Sequence, residues 1–165
     1  MLSSRQGTVT TDDITSNSNT TVTSYQSIST GNILTHTGAV RLTSNNSAIA
    51  TSDITTGGNA ASGSSGNQVN ITLNAAYDIT TGNISTHSIG KVSITLKQDT
   101  AVADQFSGDV TTGSINAKQI DILSDGGFTA NSDVQTLEGD VNITTVGDIL
   151  IGKITAKNGA VNTER

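Results

Sequence analysis

The chain of 165 residues contains no cysteine, no proline and no tryptophan, and only 13% of its residues are charged. Without cysteine there are no disulfides and no thiolate metal sites. The only aromatic side chains are Tyr25, Tyr77, Phe106 and Phe128, which excludes a core built on clustered rings, the usual source of large buried area. Basic residues are scattered singly and the formal net charge is −6. A general nucleic-acid binder needs a basic footprint, so that class is excluded. The opening MLSSRQGTVTTDD has no apolar h-region, so no signal peptide is expected there. No apolar run reaches membrane-spanning length, so no membrane insertion is expected either.

Thr, Ser, Asn and Gly make up roughly half of the chain. A composition this polar suggests disorder, because ordering entropy must be offset by apolar burial. Disordered chains are normally rich in Pro, Lys and Glu. This one is rich in Ile, Val and Thr, whose β-branching favours strands.

A short phrase recurs: Asp or Ser, Ile or Val, Thr or Ser, Thr, Gly, any residue, Ile. It spans Ser27–Ile33, Asp78–Ile84 and Asp109–Ile115, with variants at Asp53–Asn59 and Asp148–Ile154. The leading aliphatics Ile28, Ile54, Ile79 and Val110 are 26, 25 and 31 residues apart. The gap of 39 from Val110 to Ile149 has room for two shorter turns. Such self-similarity is the signature of a stacked architecture.

Between these phrases lie strictly alternating segments, among them QVNITLNA from Gln68, KVSITLKQ from Lys91 and DVNITTV from Asp140. Val69 and Ile71 share one face, as do Val92 and Ile94, with polar residues opposite, so each is a strand with one buried side. In DITTGNI the two isoleucines are five residues apart, an odd offset that would set them on opposite faces of a straight strand. A corner resolves this: Gly permits a tight turn or a positive φ. The corners are predicted at Gly31, Gly57, Gly82, Gly113 and Gly152. Ile28, Ile33, Ile54, Val69, Ile71, Ile79, Ile84, Val92, Ile94, Val110, Ile115, Ile149 and Ile154 are then the structural core, all pointing inward. Each buried aliphatic is worth about 1.5–3 kcal/mol.

The expected fold is therefore all-β: a parallel β-helix (solenoid) of about seven irregular coils of 20–25 residues, with strands about 4.8 Å apart along the axis. Residues 1–25 form a polar leader or a first coil, and residues 26–165 form the repeat domain. The Gly/Ser segment at residues 57–68 is expected as a loop. Asn32, Asn83 and Asn74 are candidates for side-chain ladders at matching corners. No helix is expected beyond a single turn at NAAYDI or TAVADQF.

The run SGNQVNITLNAAYDITTGNISTHSIGKVSITLKQ resembles the repeats of filamentous-haemagglutinin-like secreted exoproteins, closest in flavour to the haemagglutinin-related proteins of cyanobacteria. The resemblance covers residues 28–161. It implies a right-handed winding and a structural or adhesive, non-catalytic segment of a bacterial surface or secreted adhesin, exported by two-partner secretion. The partners it implies are glycans or proteins of a host or neighbouring cell. Such exoproteins carry a signal peptide and an N-terminal secretion domain with Asn-Pro motifs, so this chain is expected to be an interior segment of a longer one. End-to-end self-association is expected from uncapped end coils.

No catalytic residue, metal ligand or cofactor site is assigned. His36 and His87 repeat one position of the phrase two coils apart, about 10 Å along the axis, too far for one metal. Asp53, Asp78, Asp109 and Asp148 recur before the first core strand. A carboxylate column could bind Ca²⁺ or serve a glycosidase. The simpler reading is that each bonds its own turn backbone. Ser124–Gly127 reads as a turn. Five N-x-S/T sequons, at Asn19, Asn45, Asn70, Asn83 and Asn142, matter only in a glycosylating pathway. Two other function classes compete: a β-helix polysaccharide-active enzyme or carbohydrate-binding module, and an ice-binding solenoid with outward Thr arrays. Sparse aromatics and charges weigh against the first, and variable turn lengths against the second.

Overall fold

A computed structural model describes residues 1–57, 69–87, 90–96 and 108–165, and every regular element among them is a strand in a parallel sheet. Three sheets form the sides of a coil that winds about seven times. The first face holds the longest strands: Leu2–Ser4, Thr20–Ser24, Val40–Ser44, Ile71–Ala75, Lys91–Leu96, Gln119–Ser124, Val141–Thr145 and Val161–Glu164. The second runs from Val9–Thr11 through Ile28–Thr30, Ile49–Thr51, Ile79–Thr80, Val110–Thr112 and Phe128–Ala130 to Ile149–Ile151. The third runs from Ile14–Ser16 through Ile33–Thr35, Ile54–Thr56, Ile84–Ser85, Ile115–Ala117 and Val134–Thr136 to Ile154–Ala156. Eight strands at about 4.8 Å give the first face a length near 34 Å.

Stacking is in register, so each inward position becomes a column. Ile28, Ile49, Ile79, Val110, Phe128 and Ile149 pile up on the second face. Ile33, Ile54, Ile84, Ile115, Val134 and Ile154 do so on the third. Ile28, Val69, Ile79 and Val92 are all buried, as are the other core residues expected from the sequence except Ile149 and Ile154, which are half-buried in the last coil. The one core aromatic among the described residues, Phe128, takes an Ile position and supplies the coil that the 39-residue gap concealed.

Ile54 departs from its expected place. It belongs to the third face, and the partner of Ile28 on the second face is Ile49. DITTGG is thus the second half of a unit that begins at Ile49, whose ATSD lacks the telltale Gly. The underlying coil has 18–21 residues: Leu2, Val22 and Leu42 share a column at steps of 20, and Val110 pairs with Phe128 at a step of 18. The longer steps contain residues 58–68 and 97–107, outside the described residues, and the register on either side of them is unbroken. The expected loop at 57–68 is described only at Gly57, and TAVADQF lies outside the described residues. Asn74 and Ala75 end a strand rather than begin a helical turn. Residues 2–16 form the first coil, so the amino-terminal stretch is part of the solenoid.

The core is edged with buried hydroxyls, which must find partners away from water. Most turn to a carbonyl of a nearby turn. Thr35 donates to Gly38 O at 2.6 Å, Thr86 to Gly90 O at 2.9 Å and Thr56 to Val69 O at 2.8 Å. On the first face Ser24 and Ser44 donate to Gly7 O and Gln26 O, both at 2.6 Å. A sequence poor in large apolar residues can therefore close its coils with Thr and Ser.

Ile84→Ala is expected to cost about 2–5 kcal/mol, because the column above and below cannot collapse into the gap. Ile154→Ala, at the half-buried end, is expected to cost less than half as much. Urea unfolding followed by the strand signal in circular dichroism checks this; equal losses would contradict a continuous column.

Candidate functional site

The residues that recur most conspicuously lie at the corners, and their geometry assigns them work. At the corner between the second and third faces, the residue just before the third-face aliphatic is Asp13, Asn32, Asp53, Asn83 and Ser114 in successive coils. In the first four, the side-chain oxygen accepts a hydrogen bond from the backbone N–H one coil on. Asn32 N donates to Asp13 Oδ1 at 2.7 Å, Asp53 N to Asn32 Oδ1 at 3.2 Å, Asn83 N to Asp53 Oδ1 at 2.7 Å and Ser114 N to Asn83 Oδ1 at 2.9 Å. The corner carbonyls meanwhile accept from the coil below: Ile14 N bonds Asn32 O and Ile54 N bonds Asn83 O, both at 2.8 Å. The backbone turns here and cannot continue the strand ladder, so without the side chain this N–H would have only water to bond.

The other two corners repeat the device. Between the first and second faces, Asp109 N donates to Asp78 Oδ1 at 2.9 Å and Gly127 N to Asp109 Oδ1 at 2.7 Å. Between the third and first, the N–H groups of Ala39, Lys91 and Ala160 donate to Asn19, Asn70 and Asp140. This corrects the expectation that each Asp bonds its own turn, and it splits the supposed carboxylate column. Asp78, Asp109 and Asp148 precede second-face strands, whereas Asp53 sits one corner away among Asn32 and Asn83. Asn74 points outward from the first face, paired with Thr43 and Thr95, and is not in a corner.

The corner glycines have a different cause from the one expected. Gly31, Gly82 and Gly113 do not adopt positive φ; a Cβ at Gly82 would overlap Asp53 Oδ1, and the same holds for Gly31 against Asp13 and Gly113 against Asn83. The side chain of the coil below fills that space. Gly152 has nothing within 4 Å of such an atom. Gly57 is the exception in conformation, with φ 79°, the left-handed region that favours glycine.

His36 and His87 follow the buried Thr35 and Thr86 two coils apart, each at the exit from the third face. Among the described residues, no group of three His, Asp or Glu side chains is placed to hold a metal ion. A groove of about 350 Å³ runs beside the first corner near the carboxyl end. Asp109, Asp125 and Asp148 line it with Gly126, Gly127 and Val146. Asp109 is held by Gly127 N, and Asp148 Oδ1 meets the Arg165 guanidinium at 3.0 Å, both partners well exposed. Of the outward threonines, Thr21, Thr23 and Thr43 do share the first face, but Thr35 is buried.

The first face also carries an outward polar ladder. Lys91 forms an ion pair with Asp121, Asn142 Nδ2 donates to Asp121 Oδ1 at 2.6 Å, and Asn162 Nδ2 donates to Asn142 Oδ1 at 2.8 Å. Burial raises the Asp121 pKa, but the hydrogen bond from Asn142, the Lys91 ammonium and Gln119 together outweigh it and hold the carboxyl below its ordinary value. A folded pKa below the unfolded one contributes stability that is present above the unfolded pKa and lost as pH falls through the folded one. Asp13, Asp121 and Asp140 belong to no motif singled out in the sequence, and Asn19, Asn70 and Asn142 stand out there only as sequons. One signal does find most of the corner residues: Asp or Asn directly before an aliphatic that opens a strand, as in Asp13-Ile14, Asn70-Ile71 and Asp140-Val141.

Gly82→Ala is expected to destabilise by about 1–3 kcal/mol through overpacking against Asp53, while Gly152→Ala is expected to be neutral or slightly stabilising. Asp53→Asn keeps the acceptor and is expected to be near neutral, whereas Asp53→Ala removes the bond to Asn83 N at about 0.5–1.5 kcal/mol. Denaturant midpoints of the four variants decide. Asp121→Asn is expected to flatten the loss of stability below about pH 4, read as Tm against pH; an unchanged acid slope would remove Asp121 from the account. Comparison with family models, with curated proteins and with solved structures returns no match for this chain.

Proposed function

We propose that the chain is a structural, non-catalytic solenoid segment of a surface-exposed or secreted haemagglutinin-like exoprotein, in which the rod holds outward faces and corners available for contact. The observation that carries this reading is how the repeated polar residues are used. In an enzyme, recurring carboxylates converge on a cleft with perturbed acidities and a space for substrate. Here Asp13, Asp53, Asp78, Asp109 and Asp140 each give an oxygen to the backbone of the next coil. Their repetition follows from stacking, so it needs no reaction to explain it.

The location rests on the resemblance of the Thr/Gly phrases to exported repeats. Side chains reach the outside through columns such as Thr23, Thr43, Asn74 and Thr95 on the first face. Binding to surface glycans or proteins of another cell would use those faces and the corners between them.

Two measurements test the reading. Labelled chain incubated with cells and with immobilised glycans is expected to bind saturably, and incubation with neutral and acidic polysaccharides is expected to release no new reducing or unsaturated ends. Turnover that survives purification and is lost on Asp109→Asn would overturn the non-catalytic reading; saturable binding that is absent from every surface would overturn the contact role.

A further inference from the structure

We infer that Asn45 is the glycan acceptor of the folded chain, the one of its five N-x-S/T sequons that a glycosyl-transferring enzyme reaches without unwinding the solenoid. The inference goes beyond the contact role above and does not depend on it. All five triplets lie among the described residues: Asn19-Thr20-Thr21, Asn45-Asn46-Ser47, Asn70-Ile71-Thr72, Asn83-Ile84-Ser85 and Asn142-Ile143-Thr144. An acceptor sequon belongs in a surface loop, where the enzyme can hold the asparagine and the hydroxyl two residues on.

In four of the triplets the fold already uses these residues. The middle residues Thr20, Ile71, Ile84 and Ile143 are buried, and each lies in a strand together with the Ser or Thr that follows it. Lifting any of them into an enzyme would pull a member out of a core column. Their asparagines are held as well. Asn19 Oδ1 accepts from Ala39 N, Asn70 Oδ1 from Lys91 N, and Asn83 Oδ1 from both the N–H and the hydroxyl of Ser114. Asn142 donates Nδ2, the atom that would carry a sugar, to Asp121.

Asn45 differs on each count. Asn45 and Asn46 are both exposed, in the corner that follows the strand Val40–Ser44, and among the described residues the Asn45 carboxamide takes no hydrogen bond. This corner is also longer than its neighbours. Four residues separate Thr23 from Ile28 and Asn74 from Ile79, whereas five separate Thr43 from Ile49 in the same columns. The next coil passes the asparagines by: Ala76 N and Tyr77 N both donate to Ser47 O. The preceding coil accepts from them through the backbone, Asn45 N to Ser24 O and Asn46 N to Tyr25 O, both at 3.0 Å. Tyr25, itself 46% exposed, stands one coil step away and offers an aromatic surface to the apolar face of a first sugar.

The transfer is a substitution at an anomeric carbon, and the donor is a sugar activated as a diphosphate ester. Asn45 Nδ2 forms a bond to C1 as the C1–O bond to the diphosphate breaks. The electron pair of that bond leaves with the diphosphate, and an Nδ2 proton passes to a carboxylate of the transferase. Nothing is oxidised or reduced.

The folded chain, incubated with an oligosaccharyltransferase and a lipid-linked oligosaccharide diphosphate, is read by intact mass and peptide mapping beside synthetic peptides of the five sequons. All five peptides are expected to accept glycan. The folded chain is expected to gain one, on Asn45, at least about tenfold faster than at any other site, because strand sequons require local opening. Asn45→Gln and Ser47→Ala are expected to abolish the gain, and Ser47→Thr to retain it, with the strand spectrum unchanged in all three. A folded chain left bare at Asn45, or modified as quickly at Asn19, Asn70, Asn83 or Asn142, would overturn the inference.

Discussion

At the corners of this solenoid the backbone leaves one sheet before it has entered the next, and the N–H of the corner residue loses its strand partner. In many coils an aspartate or asparagine oxygen from the coil below meets that donor, as between Asp53 and Asn83 or between Asp78 and Asp109. Each such bond is worth about 0.5–1.5 kcal/mol net. Much else follows from this bond. The residue before Asn83 must be glycine because Asp53 reaches into its Cβ space. The isoleucine after it is then delivered to the interior, in register with Ile54 and Ile115.

The core these corners enclose is narrow, and its chemistry suits a chain nearly free of rings. Columns of Ile, Val and Leu supply the dry centre, and Thr and Ser end the strands with hydroxyls satisfied by turn carbonyls. No coil could stand alone on so few apolar residues. Stability is shared between neighbours, as in other stacked repeats. That is why the end coils, with Ile149 and Ile154 only half covered, differ from the interior ones.

Much of the architecture could be read from the residues because both signals are local. Alternation in KVSITL sets one side inward whatever lies around it, and the five-residue offset of Ile79 and Ile84 demands a corner between them. The pairing of coils was harder to read. Ile49 lies in ATSD surroundings without glycine, so the Gly-marked DITTGG at Asp53 looked like the start of a unit although it is the second half of one. Glycine marks this corner where the coil below sends a side chain into its Cβ space. Ser52 takes that position after Gly31, and the bond beside it, from Asp53 N to Asn32 Oδ1, is the longest of the series at 3.2 Å. The Asp121 ladder could not be read at all, since its partners Lys91, Asn142 and Asn162 come from three other coils.

The corner column runs Asp13, Asn32, Asp53, Asn83, and each of the four does the same job with an oxygen that an acid or an amide can provide. Formal charge is therefore uncoupled from architecture at these sites. A lineage could drift from strongly anionic to nearly neutral by exchanging carboxylates for amides, one corner at a time, while the backbone kept its path. The electrostatic character of the rod is free to follow whatever surface it meets.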